Sequence, residues 1–207
     1  DANTRQALEL VENSKGEVSG TLFNVINKTE TAMGSRNLRR WLTQPTRNQE
    51  EIAVRQDAVS DLANGSRYEP ILASFKYVGD IERIVARVAL ETARPRDLLQ
   101  IRHALEMLPQ LVDHLKLGKA RKISTIAASC SPIPALLSLL KESIVENPPV
   151  IVRDGGVIRE GYDNELDDLR NVSSNASNLL NKIEIAEREN TGISNLKVGY
   201  NRIHGYF

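Results

Sequence analysis

Along the first two thirds of the chain, apolar residues recur at intervals of three and four, the spacing that gathers side chains onto one face of a helix. From Thr21 the pattern predicts a short helix with Leu22, Val25 and Ile26 facing together. A second helix follows from about Met33 to Thr43, with Leu38, Trp41 and Leu42 as its stripe and Pro45 forcing its end. Asn48 has the short polar side chain of an N-cap and opens a third helix, which carries Ile52, Val59 and Leu62 and stops at Asn64-Gly65. Asp80 caps a fourth, with Ile81, Ile84, Val85 and Val88. Pro95 sits where a first helical turn accepts proline, and Leu98, Ile101, Leu105, Leu108 and Leu111 continue that helix toward Gly118, with a bend expected at Pro109. A leucine-rich helix from about Pro134 to Glu146 is closed by Pro148-Pro149.

The stretch from Val150 to Ile158 changes the pattern: β-branched residues surround Gly155-Gly156, which reads as a turn. After Gly161, the residues Leu166, Leu169, Val172, Ala176, Leu179, Ile183 and Ala186 repeat at three and four with no Pro or Gly between them, the mark of a long, coiled-coil-like helix. Running from about Tyr162 to Asn190, it would be about 43 Å long at 1.5 Å per residue. That equals the whole diameter, about 43 Å, of a compact globule of this chain length. Its exposed face is rich in Asn and Ser, middling helix formers, so a partner helix is expected to supply its stability. Gly192 ends it. Leu196, Val198 and Tyr200 then alternate with polar residues as in a half-buried strand, Asn201 to His204 form a turn, and Gly205-Tyr206-Phe207 begin a return strand. A two-stranded ribbon is marginal alone, and the chain begins at Asp1 instead of Met, so a piece of a longer protein is expected.

Composition narrows the function. The 207 residues carry 27 Lys+Arg against 27 Asp+Glu, and this neutrality argues against a free-standing nucleic-acid binder. Hydrophobic residues at 41% match globular usage and permit a sizeable core. Cys130 is the single cysteine, so neither an intrachain disulfide nor a cysteine zinc site can form. No apolar run approaches the roughly 20 residues of a membrane span, and no apolar stretch follows a basic start, which argues against insertion and secretion.

The search for chemistry yields little. Gly118-Lys119 fails the phosphate-loop pattern, because position 113 is Asp and position 120 is Ala. His103, His114 and His204 are too scattered for a metal site, and Glu165, Asp167 and Asp168 suit the positive end of the long helix better than a cation. Arg36, Arg39 and Arg40 cluster, as do Arg83, Arg87, Arg94 and Arg96; they are either phosphate contacts or, more simply, partners of acids such as Glu82, Glu91 and Asp97. Lys197, Asn201, Arg202 and His204, beside Tyr200 and Tyr206, form a donor-rich ribbon tip that can grip a DNA backbone, or a plain polar turn.

In order, these segments resemble the DNA mismatch-repair MutS family, most closely its bacterial members. Thr21 to Pro45, with Met33-Gly34-Ser35-Arg36 and Trp41-Leu42, is similar to the opening of the family's core domain, as is Asp1 to Leu10 before it. Asp80-Ile81-Glu82-Arg83 and Ala93-Arg94-Pro95-Arg96-Asp97-Leu98 resemble its next block. Val152 to Ile158, Gly161-Tyr162, Glu187 to Gly192, Leu196 to Asn201 and His204-Gly205-Tyr206 resemble a third. The resemblance implies a mainly α fold: a multi-helix core over 1–161, a long lever helix over 162–192, and from 193 to 207 the start of a clamp domain, a truncated β-hairpin. It further implies a parent protein that dimerises around mismatched duplex DNA, works with other mismatch-repair proteins in the bacterial cytoplasm beside the nucleoid, and uses ATP and Mg at a phosphate loop outside this chain. The chain itself would be a non-enzymatic structural and allosteric connector without a cofactor, Lys197, Asn201, Arg202 and His204 being its DNA-facing residues. Two other readings are an autonomous DNA-backbone-binding module and a helical protein-docking scaffold.

Overall fold

The computed structural model describes residues 2–201 with Ile203, Gly205 and Tyr206, and leaves out the side chains at 2, 173–177, 179, 200, 201 and 206. The chain divides into two compact units, 1–157 and 158–207. Both are mainly α.

The first unit holds α1 (Ala2–Ala7), α2 (Leu22–Ile26), α3 (Ala32–Thr43), α4 (Gln49–Ala63), α5 (Tyr68–Phe75), α6 (Ile81–Ala89), α7 (Pro95–Lys116), α8 (Arg121–Ser129) and α9 (Pro134–Ser143). The caps follow from short polar side chains placed before each start: Thr21 accepts from the Asn24 N–H, Thr31 from Gly34, Asn48 from Glu51 and Asp80 from Arg83. Helix α7, the longest of this unit, packs against α5, α6, α8 and α9 and runs on through Pro109, which faces solvent. The core is the cluster of Ala58, Ile71, Leu115, Ile123 and Ala127 from α4, α5, α7 and α8, edged by Leu62, Phe75 and Leu111.

Several expected stripes are displaced. On α4 the small Ala58 and Leu62 face inward, while Ile52 and Val59 are 37% and 67% exposed, because apolar residues lie on two sides of this helix and the small side chain permits the closer approach. Trp41 and Val85 are likewise exposed, and Ile84 alone of its group is sealed from solvent. The core is thinner than composition permits: ten hydrophobic residues are buried among those described. Helices α1, α5 and α8 have no counterpart in the sequence reading; α5 and α8 each turn only two residues fully inward, Ile71 with Ser74 and Ile123 with Ala127. The β-branched run from Val150 does not pair with the run after the glycines: it forms a single tight turn over Val152–Asp154, Gly155 and Gly156 adopt φ of 74° and 69°, and the Val145 N–H donates to the Val157 carbonyl instead.

The second unit is built on α10 (Asn164–Thr191), 28 residues in one uninterrupted helix, about 42 Å long. Asp163 caps its start and Gly192, at φ 70°, ends it in the left-handed conformation that glycine adopts without strain. Of its repeating apolar positions Leu166 is half-buried, while Leu169, Val172 and Ile183 are 61%, 67% and 42% exposed. Strands β1 (Tyr200–Asn201) and β2 (Gly205–Tyr206) pair antiparallel, Tyr200 opposite Tyr206.

Candidate functional site

The two ends of α10 carry the same device. At the start, Asp167 Oδ2 accepts the Gly161 N–H at 2.6 Å while Oδ1 pairs with Arg170 at 2.8 Å, and Arg170 donates onward to the Ile158 carbonyl at 2.8 Å. At the finish, Glu184 Oε1 pairs with Arg188 at 2.6 Å, Arg188 Nε donates to the Leu196 carbonyl at 2.7 Å, and Glu184 Oε2 accepts the Val198 N–H at 3.1 Å. In each case an acid and an arginine one turn apart hold each other, and each also holds the backbone of the segment entering or leaving the helix. Charge-assisted bonds of this kind are worth about 1.5–3 kcal/mol when shielded. The four side chains are 20–34% exposed, which places these bonds toward the lower end. Asp167 is therefore a tie, beyond the interaction with the helix dipole that the sequence led us to expect; Glu165 and Asp168 remain exposed.

The expected ribbon tip is described in part. Lys197 is exposed, lying between the tied Leu196 and Val198. Asn201 stands opposite Gly205 in the two-residue ladder, and Ile203 between the strands is 87% exposed. Arg202 and His204 lie outside the described residues.

Most arginines of the two basic clusters are committed to acids. Arg36 takes both oxygens of Asp80, at 2.6 and 2.7 Å, and also Glu82 at 2.6 Å, fastening α3 to the start of α6. Arg87 takes both oxygens of Asp97, at 2.8 and 2.6 Å, and Asp97 also accepts the Arg94 N–H at 3.0 Å, fastening α6 to the start of α7. Hydrogen bonds from Arg36 hold the Asp80 carboxyl below its ordinary range, and those from Arg87 do the same to Asp97, since both favour the charged form. Arg36 and Arg87 are raised in turn, chiefly by the same partners. Arg39 pairs with Glu12 and Arg83 with Asp80, whereas Arg94 and Arg96 are exposed. Sequence did not point to the buried Arg102, 3% exposed, which reaches Glu146 at 2.6 Å and ties α7 to the segment after α9.

The turn after Gly118 is not a phosphate cradle. The N–H groups of Lys119 and Ala120, which would face an anion after Gly118, instead donate to Asp61 at 2.5 and 2.7 Å. A carboxylate already occupies the place a phosphate needs, held below its ordinary range by the Ala120 N–H first of all, then by Lys119 and Arg67, so these residues do not fit ATP. Among the described residues no three metal-ligating side chains gather, and His103 and His114 are half-buried along α7. No single described helix is long and apolar enough to cross a membrane.

Residues 3–197 match MutS domain III, which is nearly the whole chain. The chain therefore belongs to the MutS domain III family, a domain of DNA mismatch-repair proteins.

Proposed function

We propose that this domain is the connector of a mismatch-repair protein, transmitting the state of an ATPase elsewhere in the parent protein to a clamp that grips DNA. The observation that carries this reading is the unbroken 28-residue α10 with its neighbours tied to it at both ends. A displacement at one end of such a rod reaches the other with little lost to bending of the joints. Coupling also needs two states that both distant sites bias, and the rod supplies the rigid part of that machinery. The arginines held by Asp80, Asp97 and Glu12 support a transmitting role over a phosphate-binding one for this unit. In the parent protein, a dimer working in the cytoplasm with other repair proteins, Lys197, Asn201, Arg202 and His204 would face the DNA backbone as part of the clamp, while ATP and Mg are bound in another domain.

The test places Ala176→Pro and Leu179→Pro in the full protein, removing backbone hydrogen bonds near the middle of α10. ATP binding is expected to persist while ATP-triggered release of mismatched DNA is lost. Release that still follows ATP with normal amplitude in the doubly substituted protein overturns the proposal.

A further inference from the structure

Where α7 begins, a hollow of about 500 Å³ is lined by Ala93, Arg94 and Pro95 on one side and by Val150, Ile151, Val152 and Arg153 on the other. Its walls are apolar and open, Val150, Ile151 and Val152 being 47%, 52% and 62% exposed. Three adjacent β-branched side chains left in water are unfavourable unless something covers them, and the volume suits an apolar side chain of a ligand.

The charge at its rim says what that something carries. Arg94 and Arg153 are exposed, and neither guanidinium has a hydrogen-bonded or ion-pair partner among the described residues, in contrast to Arg36, Arg87 and Arg102. The acids nearest in sequence accept no hydrogen bond from either guanidinium, although the Asp97 carboxylate feels the Arg94 charge. Asp97 is buried and saturated by Arg87 and the Arg94 N–H, and Asp154 does not line the hollow. Two guanidinium forks without a hydrogen-bonded partner, beside an apolar floor, present bidentate sites for carboxylates around a pocket for an aliphatic or aromatic group.

From this we infer that the hollow docks an acidic peptide segment of a protein partner, one apolar side chain seated on Val150–Val152 and flanking Asp or Glu residues held by Arg94 and Arg153. The apolar floor favours such a peptide over DNA, whose phosphates would leave Val150, Ile151 and Val152 uncovered. The inference does not depend on the connector role of α10.

The test pans a phage-displayed random peptide library on the full protein and on its Arg94→Glu/Arg153→Glu and Ile151→Asn variants. Every substituted side chain is exposed, and thermal melting checks that each variant remains folded. Recovered peptides are expected to place Asp or Glu beside Leu, Ile or Phe, and to bind both variants about tenfold or more weakly, as loss of a central anchor or its charge partners does. A set without acidic enrichment, or one that binds the variants equally well, overturns the inference. So does an empty selection, which means that another part of the full protein covers the hollow. A short DNA duplex that loses affinity for the double-arginine variant, with peptide binding unchanged, assigns the arginines to phosphate and also overturns it.

Discussion

Removing Glu184 tests the ties at the end of α10. Its Oε2 is the acceptor of the Val198 N–H at 3.1 Å and its Oε1 the partner of Arg188 at 2.6 Å, with the Glu184 side chain 21% exposed. Glu184→Ala deletes both bonds and leaves Arg188 with its bond to the Leu196 carbonyl. Charge-assisted bonds contribute about 1.5–3 kcal/mol, and partial exposure places the loss near 2 kcal/mol. Opening of the segment after Gly192 should become about 30-fold more frequent, at about 1.4 kcal/mol per tenfold. Glu184→Gln keeps a neutral acceptor of the same shape and should cost about half as much, near fivefold. Amide hydrogen exchange at Val198, measured where exchange follows the opening equilibrium, reads this directly. The buried Val112 near the end of α7 serves as the control, since a local tie should leave it unchanged. Unaltered exchange at Val198 in the alanine variant would refute the idea that the joint is held by this pair; an equal increase at Val112 would show a global loss of stability instead.

Asp97→Asn should remove an acid-sensitive part of stability. Bonds from Arg87 hold the native carboxyl below its unfolded value of about 3.9, so its contribution is complete above that pH and is lost as pH falls through the native value. Thermal melting should show a wild-type advantage that is constant from about pH 5 to 8 and shrinks below about 4; an advantage independent of pH down to 3 would contradict this. Ile84→Ala, at a residue 0% exposed, should cost about 2–5 kcal/mol in urea unfolding, whereas Val85→Ala at 55% exposure should stay within about 0.5; similar costs for the two would place Ile84 outside the core. The Arg55 guanidinium lies 4.0 Å from the centroid of Trp41, the single tryptophan. Arg55→Met should shift its fluorescence to the red, raise acrylamide quenching and cost about 0.5–1 kcal/mol, and an unchanged spectrum would remove that stacking from the account.

Much of this domain is legible without coordinates, and the reason is local. Thr21, Asn48, Asp80 and Gly192 act on backbone within four residues of themselves, so the helix ends they set can be read from the chain alone. The length of α10 is equally local, a long apolar repeat with no breaker, and so is the resemblance to the MutS family, carried by ordered blocks of residues. Even the two ties could have been suspected from Asp167 with Arg170 and Glu184 with Arg188 at helical spacing.

Tertiary structure alone decided which faces turn inward and which charges meet. Ile52 and Val59 have the hydrophobicity of core residues, yet α4 turns Ala58 to its neighbours, because the fit between helices depends on side-chain volume across a contact that sequence spacing does not encode. The partners of Arg36 and Arg102 lie 44 residues away along the chain, and Asp61 meets the amides of Lys119 and Ala120 across 58 and 59 residues. Pairings over such separations follow from how helices pack, and the same packing brings Arg94 and Arg153 to the lining of one hollow.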